Sequence, residues 1–220
     1  MSQQDQLPVK LFRPFGPSIL ETDMPENLIS DLNNYVDKTA SDQKKSKELD
    51  MGGKLVGQVT QEISLEKNFY ESHFEKFLTK AVESYIYLIT QKKIKKFKLG
   101  ECWVVRQYQN EYNPNHYHSG HLSGVGYLKL PESFGDQQQS TKSDNNNGMI
   151  EFVHGSRMFL ARSQMIFKPI VGKFYIFPHY LMHLVYPFKG KGERRSISFN
   201  GEIDEVLYQE TYGAFLDKSK

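Results

Sequence analysis

Regularly spaced apolar residues predict two helices in the first hundred residues. The first is predicted over about 24–38 by apolar residues at intervals of three or four: Leu28, Leu32, Tyr35 and Val36. The second, longer helix is predicted over 65–92 by the same period: Phe69, His73, Phe77, Ala81, Tyr85 and Leu88. Because His73 lies on this apolar stripe, we interpret it as a hydrogen-bonded core histidine rather than a ligand.

The segments around the first helix carry weaker signals. Asp23, Pro25 and Glu26 predict its start as an N-cap, an early helical proline and a capping-box acid. Residues 39–53 are polar and without periodicity, so we predict a loop there. Residues 54–63, "KLVGQVTQEI", are predicted to form a strand or an extended arm.

After residue 99 the period changes, and short aromatic and β-branched segments alternate with Gly, Pro and polar turns. The predicted strands, including one near the N-terminus, are 9–16, 100–109, the segment up to His118, 121–130, 148–155, 163–172, 173–178, 181–188 and 194–203. The polar, low-complexity segment 132–147 is interpreted as a mobile hairpin loop that could act as a lid. Together these elements predict a mainly β (α+β) fold, a double-sheet jelly roll or barrel flanked by N-terminal helices.

We expect one structural domain. A helical and extended segment, 1–98, is predicted to pack on a β core, 99–203, and 204–220 forms a C-terminal tail. A chain of 220 residues is long enough to bury one such core.

Composition and charge exclude several classes of protein. Cys102 is the only cysteine, which excludes an internal disulfide and a thiolate zinc cluster. The formal charge is +2, and the lysine run 91–98 is interpreted as a solvated helix end, so nucleic acid is not indicated as a partner. No apolar stretch approaches the ~20 residues that cross a bilayer. The N-terminus lacks the features of a secretion signal, and we expect an intracellular, cytoplasmic protein without a membrane partner.

The histidines are concentrated in the predicted β region. Six of the seven lie between residues 116 and 183. Side chains at positions i and i+2 of a strand share a face, so His116 and His118 can project together into the mouth of a barrel. His183, which opens a later predicted strand, is the candidate third ligand. The sequence therefore predicts a metal site formed by three imidazoles.

The last predicted strand carries a candidate carboxylate-binding face. By alternation, Arg194, Ser196 and Ser198 share one face, whereas Arg195 points to the other, where we expect it to be the surface partner of an acid. An arginine with a hydroxyl two positions on can hold a carboxylate through charge-assisted hydrogen bonds. A metal and a carboxylate clamp in one jelly roll favour a chelating oxo acid as co-substrate.

Three segments, "HYHSGHLSGVGYLKLPE", "GKFYIFPHYLMHLVYPF" and "GERRSISFN", resemble the Fe(II)/2-oxoglutarate-dependent oxygenase superfamily. The similarity covers roughly 99–203 and is closest to a group of such oxygenases from marine bacteria and their phages. "KLVGQVTQEISL" resembles the N-terminal part of that group. The resemblance implies a double-stranded β-helix fold and the cytoplasm of a bacterium or of an infected host cell. It also implies Fe(II), 2-oxoglutarate and O2 as cofactors, and hydroxylation of a peptide side chain or small molecule with release of succinate and CO2.

The resemblance also suggests metal ligands. His116 matches the first histidine of the superfamily's His-x-Asp pair, and His183 matches the distal histidine. His118 departs from the pattern, because most members have a carboxylate at that position. A third neutral ligand would leave the metal centre one unit more positive than the usual triad does. The alternative sources of the remaining ligand are Glu151, Glu111 and His121.

For the co-substrate, Arg194 matches the arginine that binds the far carboxylate of 2-oxoglutarate, with Ser196 as its hydroxyl partner and Arg195 as the alternative clamp. Tyr127 stands where related hydroxylases often place a tyrosine on the same carboxylate. Two rival functions stay open at this point. One is a cupin-like three-histidine dioxygenase that needs no 2-oxoglutarate, and the other is a non-catalytic jelly-roll binding or structural module.

The remaining histidines have less specific interpretations. We expect His121 and His179 to cap turns or lie on the rim of the site. His154 is predicted to share a face with Ile150 and Phe152, and therefore to be buried or to line the pocket. Trp103 is interpreted as a core residue or part of the pocket wall.

Overall fold

The computed structural model describes residues 8–12, 16–137, 139 and 141–213. The strands are β1 (Val9–Phe12), β2 (Ile19–Asp23), β3 (Gln61–Ser64), β4 (Phe97–Gln107), β5 (Asn113–His116), β6 (Leu122–Lys129), β7 (Ile150–Val153), β8 (Gln164–Phe167), β9 (Lys173–Pro178), β10 (Met182–Val185) and β11 (Arg194–Ile203). The helices are α1 (Glu26–Ser41), α2 (Gln43–Glu48), α3 (Lys67–Phe69), α4 (Glu75–Thr90) and α5 (Glu205–Gly213). A 3-10 turn spans Gly52–Lys54, and a π-helical segment, Tyr70–Phe74, joins α3 to α4.

The strands form two antiparallel sheets that face each other. In the larger sheet the order is β1-β2-β9-β6-β11-β4-β3, and in the smaller sheet it is β5-β10-β7-β8. Apolar side chains from both sheets pack in one inner layer that includes Val125, Phe152, Phe167, Tyr175 and Phe177. This arrangement is the double-stranded β-helix, and it confirms the predicted fold class.

The helices cover the outer face of the larger sheet. Leu32 and Val36 of α1 pack in the same apolar cluster as Leu78 of α4 and Ile197 of β11. Because strand residues alternate between faces, Ile197 meets the helices while its neighbour Ser196 faces the space between the sheets. The helices therefore seal one side of β11 and leave the other free to carry polar side chains.

The start of α1 differs from the predicted capping box. Pro25 is the N-cap residue and makes no side-chain cap bond, and the helix begins at Glu26. Asp23 instead ends β2, where its carboxylate forms an ion pair with Lys173 at 2.7 Å. The strand β2 was not predicted, because its short sequence stands among proline and turn signals and is fixed by pairing with β1 and β9.

Two further predictions about the N-terminal half are wrong. Residues 39–53 contain helix α2, because the Asp42 side chain accepts hydrogen bonds from the backbone N–H groups of Lys44 and Lys45 and so caps its first turn. The lysine run 91–98 does not prolong α4, which ends where Gln91 adopts a left-handed conformation with φ of 59°.

The long predicted helix is present over Lys67–Thr90, with the π-helical segment inside it. His73 lies in that segment and is exposed, so its interpretation as a core histidine is wrong. Its ring stacks on Phe69 at 4.4 Å between centroids. A π turn carries more residues than an α turn, so it shifts a position that a regular 3.6-residue period would place on the buried stripe.

The β6–β7 connection, 132–147, has no regular structure over its described residues, as predicted. The Asn147 side chain donates hydrogen bonds to the carbonyl oxygens of Phe134 and Gly135. The Phe134 ring packs edge-on against Phe188 at 5.5 Å. These contacts attach the base of the connection to the body of the protein.

At the C-terminus, α5 occupies part of the predicted tail, and residues 214–220 of that tail lie outside the described residues. Among the helices that the structure describes, none is long and apolar enough to cross a membrane.

Candidate active site

Three imidazoles meet where β5 and β10 run side by side. His116 of β5 is the register partner of His183 of β10, and His118 follows in the turn after β5. The Nε2 atoms of His118 and His183 are 3.1 Å apart. One ring nitrogen from each of the three histidines lies within 4.8 Å of the others. The structure thus brings together the three residues that the sequence selected as metal ligands.

Backbone carbonyl groups orient two of the rings. His183 Nδ1 lies 2.8 Å from the Leu181 oxygen, and His116 Nδ1 lies 2.6 Å from the Pro114 oxygen. A carbonyl oxygen only accepts, so in each ring Nδ1 is the donor and Nε2 of the neutral ring keeps its lone pair. Outer hydrogen bonds of this kind hold a ligating imidazole in place and raise its basicity.

Burial keeps all three rings neutral. It lowers the pKa of His118 to about 3 and lowers the pKa of His116 from its usual value. The pKa of His183 is held well below its usual value by burial and by the neighbouring rings His116 and His118. Neutral imidazole is the form that binds a metal ion, so at pH 7 the cluster needs to release no proton before it can act as a ligand set.

The spacing of two of the rings, His118 and His183, suits one divalent transition-metal ion. Nitrogens bound at ~2.1 Å and at right angles to each other would be ~3 Å apart, close to the 3.1 Å between the Nε2 atoms of His118 and His183. Within the part of the chain that the structure describes, the cluster contains these three histidines and no carboxylate.

The alternative ligands considered from sequence have other partners. Glu151 is buried and accepts hydrogen bonds from Gln164 and Tyr186. Glu111 accepts from the Tyr108 backbone and from Thr60. His121 Nδ1 accepts from the Ile203 N–H, and its ring stacks on Tyr208 at 3.8 Å.

The other two histidines are also outside the cluster. His179 Nδ1 lies 3.2 Å from the His121 carbonyl oxygen, which matches the expected role at a turn. His154 is exposed, so the expectation that it is buried or lines the pocket is wrong. The reason is that β7 ends at Val153 and the chain turns away at Gly155, where φ is 65°.

Arg194 lies buried in the larger sheet without an acidic partner. Its Nε donates to the Gly148 oxygen at 3.1 Å, and its Nη1 donates to Ser196 Oγ at 3.3 Å. Nη2 has no hydrogen-bond partner, although the side chain is 1% exposed. No carboxylate among the described residues forms an ion pair with this guanidinium. A buried cation without a counter-charge is costly, and an anionic ligand would compensate it.

Tyr127 adjoins Arg194 on the same face. It is the register partner of Ser196 on β6, and its ring centroid lies 5.0 Å from the Arg194 guanidinium carbon. Its hydroxyl is buried and has no hydrogen-bond partner among the described residues. Burial raises the pKa of Tyr127, so the hydroxyl stays protonated and can donate. Burial lowers the pKa of Arg194 from its usual value, but a guanidinium remains charged in proteins.

Arg195, the alternative clamp, already forms hydrogen bonds within the protein through all three of its guanidinium nitrogens. Its Nε and Nη2 donate to the two Glu193 oxygens at 2.8 and 2.9 Å, and Nη2 also lies 2.6 Å from Asp37. Although burial opposes it, the hydrogen bonds from Arg195 and Arg106 lower the pKa of Glu193. Arg195 is completely buried, so the expected surface location is wrong, because α1 covers this face of the sheet.

A cavity of about 210 Å³ contains both parts of the site. Its wall includes the three clustered histidines together with Arg194, Ser196 and Ser198. Trp103 is also part of the wall, as predicted, and its ring lies 5.8 Å from that of His118. None of the described residues of 132–147 lines this cavity, so the predicted lid role has no support here.

Sequence reasoning missed several polar residues of the same wall, among them Glu62, Asn113 and Asn200. Glu62 lies beside the core residue Ile63 in a strand. An acid at an inward-facing strand position is the signal that could have identified it.

Residues 101–200 match a family model described as "Putative 2OG-Fe(II) oxygenase". The match confirms the resemblance drawn from the sequence motifs, and it covers the β core from β4 to β11. This family implies Fe(II), 2-oxoglutarate and O2 as cofactors. No curated protein matches the sequence.

Solved structures of the same fold include prolyl hydroxylases. A Pseudomonas putida prolyl-4-hydroxylase has a TM-score of 0.53 and 14% identity, over 90% of this chain and 92% of that chain. The viral collagen prolyl hydroxylase of Paramecium bursaria Chlorella virus-1, solved as a 2OG complex, has a TM-score of 0.52 and 15% identity, over 83% and 94% of the two chains. A Trichoplax adhaerens prolyl hydroxylase with a hypoxia inducible factor peptide has a TM-score of 0.52 and 13% identity, over 94% and 88%. At identities this low, the structural likeness shows a shared fold and nothing more.

Proposed function

We propose that this chain, whose residues 101–200 match the 2OG-Fe(II) oxygenase family model, is an Fe(II)- and 2-oxoglutarate-dependent dioxygenase that hydroxylates a peptide side chain. In this proposal His116, His118 and His183 hold the metal. Arg194, Ser196 and Tyr127 hold the outer carboxylate of 2-oxoglutarate. Succinate and CO2 are the co-products.

One observation carries the proposal: the guanidinium of Arg194, which has no acidic partner among the described residues and whose Nη2 makes no hydrogen bond, lies in the wall of the same cavity as the three-histidine cluster. The cluster suits a metal, and the guanidinium with the Tyr127 hydroxyl offers two unused donors to an anion. A dicarboxylate that chelates a metal at one end and carries a free carboxylate at the other satisfies both sites. Arg195 could not bind such a carboxylate in the same way, since the protein's own Asp37 and Glu193 already neutralise its charge.

When bound, iron and 2-oxoglutarate supply the activation of O2 and the oxidation of an unreactive C–H bond. The residues of the chain bind the metal and orient the co-substrate. Three neutral imidazoles leave the full metal charge to attract an anionic co-substrate, and Arg194 fixes its far end through a charge-assisted contact. Part of the cavity wall is apolar and would exclude water from the reacting group: Val105, Val125, Ile150, Phe177 and Val185.

The size of the cavity supports a small reacting group. Pockets for drug-sized ligands measure roughly 300–1,000 Å³, and this cavity is about 210 Å³. Such a volume suits the co-substrate and a single inserted side chain better than a whole nucleoside. The three neighbours described above are named prolyl hydroxylases, and one was solved with a peptide, which supports a peptidyl substrate for this chain.

The rival functions leave the buried cation unexplained. A three-histidine dioxygenase without 2-oxoglutarate, or a structural jelly roll, would bury Arg194 without a use for its free donors. The cost of an uncompensated buried charge is several kcal/mol by order of magnitude. That cost favours the function in which an anion fills the site.

The direct test is succinate release from 2-oxoglutarate in the presence of Fe(II) and O2, scored against panels of peptides, free amino acids and nucleosides. The proposal predicts substrate-stimulated succinate release with peptides, and its loss in His183→Ala and Arg194→Met proteins. Stimulation by nucleosides alone would reject the peptidyl substrate. Absence of any 2-oxoglutarate turnover or binding would reject the activity.

A further inference from the structure

A second group of unused polar atoms lines the cavity away from Arg194. Glu62 of β3 is 1% exposed, and its Oε2 has no hydrogen-bond partner among the described residues. Asn113 of β5 presents a buried Oδ1 that is also unpaired. Both residues belong to the cavity wall. When Glu62 is ionised both atoms, as placed, are acceptors, so they call for a ligand that donates.

The fold aims Glu62 into the cavity. Glu62 is the register partner of Val105, which lines the cavity, and residues paired across antiparallel strands point to the same face. Its neighbour Ile63 points the other way into the helix-covered core. The carboxylate is therefore an inward-facing residue of the site rather than a solvated surface acid.

The two acceptors meet where the edge strands of the two sheets are linked. β3 ends the larger sheet, β5 ends the smaller one, and a bridge between Gln58 and Tyr112 joins the segments beside them. A Cβ placed on Gly57 would lie 3.0 Å from both Glu62 Oε1 and Asn113 Oδ1. Glu62 Oε1 and Asn113 Oδ1 therefore both border Gly57, and a larger residue at this position would crowd them.

The charged groups closest to Glu62 are mainly negative. Burial and, as a smaller cause, the nearby Asp50 carboxylate together raise the pKa of Glu62 to about 7. Glu101 and Lys54 are the exposed charged residues on the rim. A cationic ligand would relieve both the burial cost and the repulsion between Asp50 and Glu62, whereas an anionic ligand would increase them.

We propose that Glu62 and Asn113 form the specificity subsite of this cavity and bind a cationic N–H donor of the substrate, the ammonium of a lysine or the guanidinium of an arginine. This inference rests on the proposed function, because it identifies what the oxygenase selects. The cation would belong to the one side chain that enters the cavity, since a volume of about 210 Å³ suits the co-substrate and a single inserted side chain. Glu62 supplies the charge, and Asn113 accepts a second N–H.

A purely structural role explains these atoms less well. A buried acid that stabilised the fold would be paired with a donor, as Glu193 is with Arg195 and Arg106. If the Asn113 amide were turned over, it could donate one N–H to the carboxylate. A carboxylate accepts several such bonds, so capacity for a ligand would remain.

The test presents a random hexapeptide library, N-acetylated and C-amidated, to the full chain loaded with Mn(II) and 2-oxoglutarate. Peptides retained by the protein are identified by mass spectrometry, and the best one is resynthesised with norleucine in place of its basic residue. We expect lysine or arginine to be enriched at one position, and the norleucine peptide to bind at least tenfold more weakly. In Glu62→Gln the two peptides should bind equally.

Glu101→Gln is the matched control, because it removes a carboxylate from the exposed rim of the same cavity. It should change the lysine preference less than twofold. Glu62→Gln is nearly isosteric and removes an unpaired buried charge, so its thermal midpoint should equal or exceed that of the wild type. A Glu62→Asp protein, which keeps the charge, should retain part of the preference.

Several outcomes would overturn the subsite. These are a library without cationic enrichment, a preference that survives Glu62→Gln, and Ca²⁺ or Mg²⁺ binding that Glu62→Gln abolishes, which would make the cluster a metal site. The failure of the subsite is distinguishable from failure of the proposed function. An absorption band on anaerobic addition of Fe(II) and 2-oxoglutarate reports the oxygenase site independently of any peptide. A band without cationic enrichment rejects the subsite alone, and the absence of the band rejects both.

Discussion

His116 and His183 are direct register partners on β5 and β10, and their ring centroids lie 4.3 Å apart although 67 positions separate them in the chain. The third ring, His118, reaches the same point from the turn that follows β5. Pairing between two edge-region strands, rather than local sequence, therefore builds the cluster.

Removing His118 should weaken metal binding far more than removing a supporting residue would. Loss of an outer partner of a metal ligand typically costs about 10–100-fold in affinity, so we expect His118→Ala to lose more than that for Mn(II) or Fe(II). His118→Asp restores the carboxylate of the usual triad and should keep tight binding. Isothermal titration under argon measures both. Wild-type affinity in His118→Ala would show that the ring is not a ligand.

The two neighbouring arginines should differ in their effect on stability. Arg194→Met removes an unpaired buried charge, so the free energy of unfolding should stay within about 1 kcal/mol of the wild type or increase. Arg195→Met leaves the buried Glu193 without its bidentate partner and should cost ~3–5 kcal/mol. Urea unfolding of the metal-free proteins distinguishes the two. Equal destabilisation by both substitutions would mean that Arg194 has a structural partner after all.

The Tyr127 hydroxyl should matter for co-substrate binding and not for folding. It has no partner among the described residues, so Tyr127→Phe should leave stability unchanged or raise it slightly. A hydrogen bond to a charged group is worth ~1.5–3 kcal/mol, and its loss should weaken 2-oxoglutarate binding roughly 10–100-fold.

Tyr175→Phe is the control, because its ring packs beside that of Tyr127, with centroids 6.3 Å apart, and the substitution removes a tyrosine hydroxyl from the same inner layer. Its 2-oxoglutarate affinity should match the wild type. Unchanged affinity in Tyr127→Phe would remove that hydroxyl from the carboxylate site.

The buried imidazoles should make the metal-free protein sensitive to acid. Burial lowers the folded-state pKa of His118 to about 3, whereas an unfolded histidine titrates near ~6.5. Between these values the unfolded state binds a proton that the folded state does not, so stability falls as pH falls below about 6.5. Above that pH the contribution is constant.

In His118→Gln this linkage is absent, and the slope of unfolding free energy against pH between pH 6 and 4.5 should be smaller by up to about 1.4 kcal/mol per pH unit. Denaturant unfolding at a series of pH values gives the slope. Identical slopes in both proteins would contradict the assignment of a neutral, buried His118.

The sequence was sufficient to predict those features that depend on the spacing of apolar residues along the chain or on the alternation of side chains between the two faces of a strand. The eight strands between 99 and 203 were predicted because short runs of aromatic and β-branched residues are separated there by Gly, Pro or polar turn residues. The grouping of His116 with His118 was predicted from their i, i+2 spacing, but β5 ends at His116 and His118 reaches the site from the segment after the strand. The same alternation predicted that Arg194 and Arg195 lie on opposite faces of the last strand.

Features that depend on packing at a distance were not predictable in this way. The buried ion pairs of Arg195 arise because α1 brings Asn33 and Asp37 over the outer face of the sheet. Strand β2 is defined by its neighbours β1 and β9 rather than by its own pattern. The meeting of Glu62 and Asn113 depends on the link between the two sheets, which no local signal encodes.

The central claim is that one cavity holds a metal on the three histidines and a dicarboxylate on Arg194. Its most direct test is the visible metal-to-ligand charge-transfer band that forms when Fe(II) and 2-oxoglutarate are added to the protein under argon. We predict the band in the wild-type protein, a much higher 2-oxoglutarate requirement in Arg194→Met, and no band in His183→Ala. A wild-type protein that shows no band at saturating Fe(II) and 2-oxoglutarate, or an Arg194→Met protein with an unchanged 2-oxoglutarate requirement, would contradict it.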